Sequence, residues 1–196
     1  MNQLYNRRNI IASLAISLAI VCFFVLHAFR NMEKTRSETH IVNTRLQSLQ
    51  VMEKLMDDMQ DIETSNRGYV LSGDKQFLSP YYLALKDLEK DTFLLKDLYR
   101  IFPERKKLLE DLLGLVKRKI IFSTSSVEQL TANHDSVYRQ VQSGKGRQIM
   151  DSIRQIVFTL QNEDRKELQL SNDQRETSAT VTAKLFTVTA GIFILI

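Results

Sequence analysis

The sequence predicts an all-α protein: an antiparallel four-helix bundle whose first and last helices continue into two transmembrane helices. Three observations predict it. Only six glycines and two prolines punctuate 196 residues, too few for a many-turned β fold. Apolar residues recur at steps of three and four through each uninterrupted stretch, the period of a helix with one buried face. Long apolar runs stand at both ends of the chain, and every Asp and Glu lies between them, within 31–180.

The charge follows the same division. The formal net charge is +4, with a pI near 9.2, yet the excess falls on Arg7, Arg8, Arg30 and Lys184, which flank the apolar runs. The middle segment is neutral, which argues against a nucleic-acid partner and for a membrane one. The first run, 10–29, has the length needed to span the hydrocarbon core. A cleaved signal peptide is the rival reading, but the apolar region is long for one and Leu26-His27-Ala28 lacks the small residue wanted before a cleavage site. The second run begins at 181 and is still apolar at Ile196. It is read as the start of a second membrane helix, with a peripheral hydrophobic tail as the alternative. The division expected is thus a cytoplasmic N-terminus (1–9), a first span (10–29), an extracytoplasmic bundle (30–180) and the beginning of a second span (181–196). Lys and Arg are nearly equal on both sides of the first run, so charge alone sets no orientation.

From Asn31 to Asn66 no Gly or Pro interrupts the chain. Val42, Leu46, Leu49, Met52, Met56 and Met59 form one stripe, widened by Leu55 and Ile62; the methionines suit soft core packing. The stretch Asp61–Tyr82 then carries two glycines and a proline. Glu63 and Arg67 stand in the favourable order for an ion pair along a helix. Gly68 is placed to end that helix, Ser72-Gly73-Asp74 supplies a turn, and Asp74 or Ser79 can cap the next helix with Pro80 at its first position. Tyr81, Leu85, Leu88, Leu95 and Leu98 mark the second helix, which ends near Ile101, ahead of Pro103.

Pro103-Glu104 opens a third helix with Leu109, Leu112, Val116, Ile120, Val127 and Leu130 on its apolar face. The basic triplets Arg105-Lys106-Lys107 and Lys117-Arg118-Lys119 read as solvated faces, as do the acids Asp57, Asp58 and Asp61. Residues 123–135 are rich in Ser, Thr, Asn and Asp, so irregularity is expected there before the helix resumes to Gln142. Ser143-Gly144-Lys145-Gly146 is the clearest remaining loop; it lacks the spacing of a phosphate-binding loop. From Arg147 a fourth helix carries Ile149, Ile153, Ile156 and Leu160, and Gln161–Thr180 is mostly polar. The first and fourth helices have similar lengths, about 50 Å at the α-helical rise, as an antiparallel bundle with both ends at one membrane face requires.

No constellation carries catalysis. His27, His40 and His134 have no acid–base company, Cys22 is the only cysteine, and neither a metal cluster nor a nucleotide-binding glycine box is present. No catalytic residue, metal ligand or cofactor is predicted. Neither an aromatic cage nor an anion nest stands out along the sequence.

The order of motifs resembles a known family. Asp61-x-Glu63-Thr64-x-x-Arg67-Gly68-Tyr69, then Leu71-x-Gly73-Asp74 and Leu78-x-Pro80-Tyr81, is followed by Val141-x-Ser143-Gly144-Lys145-Gly146 and Met150-Asp151-x-Ile153-Arg154. With the flanking spans, this resembles the CHASE type-three extracellular sensory domain. Ser65 departs from it, standing where the family often has glycine. The resemblance implies the periplasmic input module of a two-pass receptor in the bacterial cytoplasmic membrane, a homodimer with a C-terminal output domain beyond this chain. Most often that output is a two-component histidine kinase, otherwise a diguanylate cyclase or chemotaxis-type module. It also singles out Asp61, Glu63, Thr64, Arg67, Gly68, Tyr69, Gly73, Asp74, Pro80, Gly144, Gly146, Asp151 and Arg154 as structural or signalling positions. The alternative class is a membrane-anchored bundle that binds a partner and has no output domain.

Overall fold

The structure, a computed structural model, describes the chain from Asn2 to Leu195, with side chains described at Ala15, 17–30, Met32, 36–184, Thr187, Val188 and Gly191. Its elements are helices and turns, with no strand among the described residues. Internal packing divides the chain into two units, Met1–Asn43 and Thr44–Ile196.

The first unit is helical, the opening part of α1 (Asn2–Ser72). Leu18, Val21, Phe23, Leu26 and Phe29 are exposed along it, and the Phe23 ring stacks on His27 with centroids 6.1 Å apart. Among the described residues no helix is long and apolar enough to cross a membrane. Part of each apolar run lies outside the described side chains: Ile10–Leu14 and Ile16 in the first, and Leu185, Phe186, Thr189, Ala190 and 192–196 in the second.

The second unit holds the bundle. After α1 come α2 (Leu78–Leu98), α3 (Lys106–Gln129), α4 (His134–Gln142) and α5 (Lys145–Leu195), with 3-10 turns at Lys75–Phe77, Tyr99–Ile101 and Pro103–Arg105. The core is drawn from α1 (Met52, Leu55, Met59, Ile62), α2 (Tyr81, Leu88, Leu95), α3 (Leu112, Val116) and α5 (Met150, Ile153, Leu160). Each of these sets recurs at steps of three, four or seven, so each helix gives one face to a common interior. Leu46 is a correction to the expected stripe, because it is exposed. The buried face of α1 runs instead through Arg45, Ser48, Met52, Leu55, Met59 and Ile62.

The corner between α1 and α2 also differs from expectation. Gly68 does not end the helix, which continues to Ser72. Gly73 is the residue with positive φ, +69°, and its N–H donates to the Tyr69 carbonyl at 2.8 Å, a left-handed C-terminal cap. Gly68 serves packing: a Cβ there would lie 2.5 Å from the Phe77 ring. Asp74 caps the 3-10 turn rather than α2, its Oδ1 accepting from Gln76 N at 2.9 Å. Pro80 is the third residue of α2, not the first, still within the first turn where a missing N–H costs no intrahelical bond.

Elsewhere α3 stays regular to Gln129, so the irregularity is confined to 130–133, ahead of a short α4 whose N-cap is Asn133. The second loop shrinks to Ser143-Gly144, with Gly144 at φ +77°, and α5 starts at Lys145 rather than Arg147.

Gly68→Ala is expected to destabilise the bundle by about 1–3 kcal/mol, the cost of overpacking, measured by thermal or urea unfolding. Adding Phe77→Leu should recover part of the loss. An unchanged midpoint for Gly68→Ala alone would show that the ring contact does not fix the corner.

Candidate functional site

The polar side chains that interrupt the helical stripes gather into three places along the bundle. At one end Asp164 of α5 is fully buried. Its carboxylate accepts from Arg45 Nη1 at 2.9 Å, Ser48 Oγ at 2.8 Å and Tyr99 Oη at 2.8 Å, and from Arg105 Nη1. Arg105 also reaches Glu163 at 3.3 Å, and the Arg45 guanidinium lies 4.3 Å from the Phe102 ring centroid. Burial first, then the neighbouring Asp164 charge, pushes the Tyr99 phenol well above its usual range.

Midway, Asp58 of α1 and Asp91 of α2 are both buried, and Lys54 Nζ sits 3.2 Å from Asp91. Burial pushes the Asp58 carboxyl up to about 6, opposed by Lys54 and reinforced by Asp91 and Asp87. These two layers, together with Lys119 at the other end of the bundle, correct the expectation of solvated charge. Asp57, Asp61, Lys106, Lys107, Lys117 and Arg118 are exposed as expected, whereas Asp58, Arg105 and Lys119 are buried.

The third place lies at the other end, where the α1–α2 corner meets the α4–α5 turn. Here the two motif blocks come together. Glu63 lies 3.8 Å from Arg67 on its own helix and 3.8 Å from Lys119 on α3. Lys119 Nζ donates to the Gly146 carbonyl at 3.2 Å, and its side chain is only 3% exposed. Burial lowers its pKa, partly offset by Glu63. Asn66 Nδ2 donates to the Ser123 carbonyl at 2.9 Å. On α5, Arg154 and Asp151 pair at 2.8 Å.

Two adjoining cavities open here. One, of about 390 Å³, is lined by Glu63, Asn66, Arg67, Lys119, Phe122, Val141, Gln142, Gly144, Gly146 and Arg147. The other, of about 350 Å³, is lined by Gln60, Glu63, Thr64, Arg67, Arg147, Asp151 and Arg154. The motif positions therefore separate. Glu63, Thr64, Arg67, Gly144, Gly146, Asp151 and Arg154 border the cavities. Gly68, Gly73 and Asp74 build the corner, Tyr69 is buried in the core, and Asp61 and Pro80 are exposed. Ser65 is buried within regular α1.

Lys119, Asn66 and Arg147 are cavity residues that the motifs do not include. Lys119 carries a readable signal, since it continues the stripe of Leu109, Leu112 and Val116 in step. Among the described residues no three His, Cys, Asp or Glu side chains gather to hold a metal ion.

The site is thus a charged cavity at one end of a helical bundle with buried polar layers. The CHASE3 domain family matches residues 38–174, and the chain belongs to that family. Its fold is similar to the sensor domain of the histidine kinase HK9 from Rhodopseudomonas palustris, with a TM-score of 0.59 and 17% identity over 63% of this chain and 98% of that one. No curated protein matches the chain.

Two outcomes check the buried layers. Asp164→Ala leaves two buried guanidiniums without their shared carboxylate and should cost about 3–5 kcal/mol in unfolding free energy. A loss below about 1 kcal/mol, the worth of a surface pair, would contradict that. For Asp58, the folded pKa of about 6 lies above the ordinary 3.8. Its stabilisation is therefore complete below 3.8 and disappears as pH rises through 6. Asp58→Asn mimics the neutral acid and does not titrate, so it should abolish that pH-dependent loss, worth about 2–3 kcal/mol at most. The variant's unfolding midpoint should therefore rise relative to wild type from pH 4 to pH 7, and a difference that stays constant would refute the assignment.

Proposed function

We propose that this chain is the sensory and transmembrane part of a bacterial signal receptor, the input module of a two-component histidine kinase. Residues 30–180 lie outside the cytoplasm, 10–29 and 181–196 enter the cytoplasmic membrane, and the receptor works as a homodimer. The signal passes to an output domain C-terminal to the bundle. The observation that carries this reading is α5. One unbroken helix holds the cavity residues Gly146 and Arg147, the buried Asp164 and the apolar run that follows 181. A signal need only have different affinities for two arrangements of α5 against α1 to be transmitted along it. The membership in a sensory family supports the same reading.

Cysteine labelling in intact cells tests the topology, with Cys22 first replaced by Ser. A cysteine at the exposed Ser136 should react with a membrane-impermeant maleimide, and one at Asn6 only after lysis. The opposite pattern would overturn the topology. Fusing a kinase core after Ile196, scanned over one heptad of helical phases, tests the coupling. Asp164→Asn should then shift autophosphorylation several-fold in at least one phase, and identical activity in all phases would overturn the input-module reading.

A further inference from the structure

We propose that the larger cavity between α1, α3 and the start of α5 binds a small organic anion, a carboxylate or phosphate group on a short apolar body. The inference deepens the sensory reading above, and its biological meaning rests on it.

The walls of the two adjoining chambers carry four cations, Arg67, Lys119, Arg147 and Arg154, against two carboxylates, Glu63 and Asp151. Asp151 is occupied by Arg154 at 2.8 Å. Glu63 is divided between Arg67 and Lys119 at 3.8 Å each, so it offsets only one of them. Arg147 has no ion-pair partner among the described residues. Two positive charges therefore remain unmatched around one recess, and an opposite charge placed among them is attracted by both.

Lys119 makes the case specific. An ammonium group carries three donors. The Gly146 carbonyl takes one at 3.2 Å, while Glu63 at 3.8 Å stands beyond hydrogen-bond distance. A buried cation with spare donors is costly unless an acceptor reaches it. Gly146 keeps that approach open, since a Cβ would lie 3.0 Å from Phe122 and 3.2 Å from Lys119 Nζ. Phe122 and Val141 supply the apolar wall. A volume of about 390 Å³ falls in the lower range of small-molecule sites. The Lys119 ammonium lies 5.8 Å from the Phe122 ring centroid, so charge and an aromatic face stand side by side in one cavity and select an anion with a short apolar body.

The test is calorimetric titration of the full chain in detergent micelles with butyrate, butyl phosphate, inorganic phosphate and, as the neutral control, n-butanol. Saturable binding of butyrate or butyl phosphate is expected, with no binding of n-butanol, and the two anions decide between carboxylate and phosphate. Arg147→Gln, at an exposed and unpaired position, should weaken binding about tenfold, the loss of one charge-assisted contact, with an unchanged unfolding midpoint. Binding of inorganic phosphate as tight as that of butyl phosphate would overturn the apolar-body part. No saturable binding of any anion at millimolar concentration, or binding indifferent to Arg147→Gln, would overturn the site. Binding is read without any signalling output. A silent cavity in a fusion that still couples to the kinase removes this inference alone, whereas binding without coupling removes the sensory reading and keeps the site.

Discussion

The buried carboxylate of Asp164 is the constraint on which the bundle's arrangement depends. A fully buried charge is tolerable only when paired and hydrogen-bonded, and Asp164 draws its partners from three separate parts of the fold. Arg45 and Ser48 come from α1, Tyr99 from the end of α2, and Arg105 from the turn that opens α3. Apolar stripes alone tolerate sliding by a turn, because one leucine replaces another at modest cost. A carboxylate that must meet two guanidiniums and two hydroxyls does not tolerate it. Asp164 therefore sets the register of α5 against α1 and pins the α2–α3 connection to both.

The other polar layers act on other helix pairs. Asp58 and Asp91 bring α1 to α2 with Lys54 between them. Glu63, Lys119 and Gly146 tie α1, α3 and α5. Between these layers the interior is apolar, with Met52, Leu55, Leu95, Leu112 and Leu160 fully buried. Hydrophobic burial supplies most of the stability, and the polar layers decide which faces meet.

Helix positions and the antiparallel order were legible because Gly and Pro are scarce and the apolar steps are regular. The glycine roles were exchanged for a physical reason. Gly68 and Gly73 look alike in sequence, and only the Phe77 ring arriving from beyond the turn distinguishes a packing glycine from a cap. Burial of Arg105, Lys119 and Asp58 was missed because each sits in a run of like charges that is otherwise exposed. The signal was nonetheless present. Asp164 follows Ile153, Val157 and Leu160 in step, and Arg45 and Ser48 precede Met52 and Leu55 in step, so a charge at a core position of the stripe was the readable sign of a partner. Which partner it meets depends on the register between helices, a tertiary quantity that one helix's sequence does not encode. The cavity was legible only in part for the same reason: its motif residues were visible, while Asn66, Lys119 and Arg147 join them through folding.

The cavity and the Asp164 cluster are related by the same two helices. Eighteen residues separate Arg45 from Glu63 on α1, and eighteen separate Gly146 from Asp164 on α5, about 27 Å along each helix. The two helices run antiparallel, so Glu63 is near Gly146 at one end while Arg45 meets Asp164 at the other. A ligand that redistributed the charges around Glu63 and Lys119 would act on α1 through Glu63 and on α5 through the Lys119 bond to the Gly146 carbonyl. Any axial shift of α5 against α1 that it produces must either break the Asp164 contacts or carry Arg45 and Ser48 with it. Close packing allows discrete rearrangements more readily than gradual ones. The Asp164 cluster thus gives a relative movement of the two helices a defined threshold, set by the cost of uncovering a buried charge.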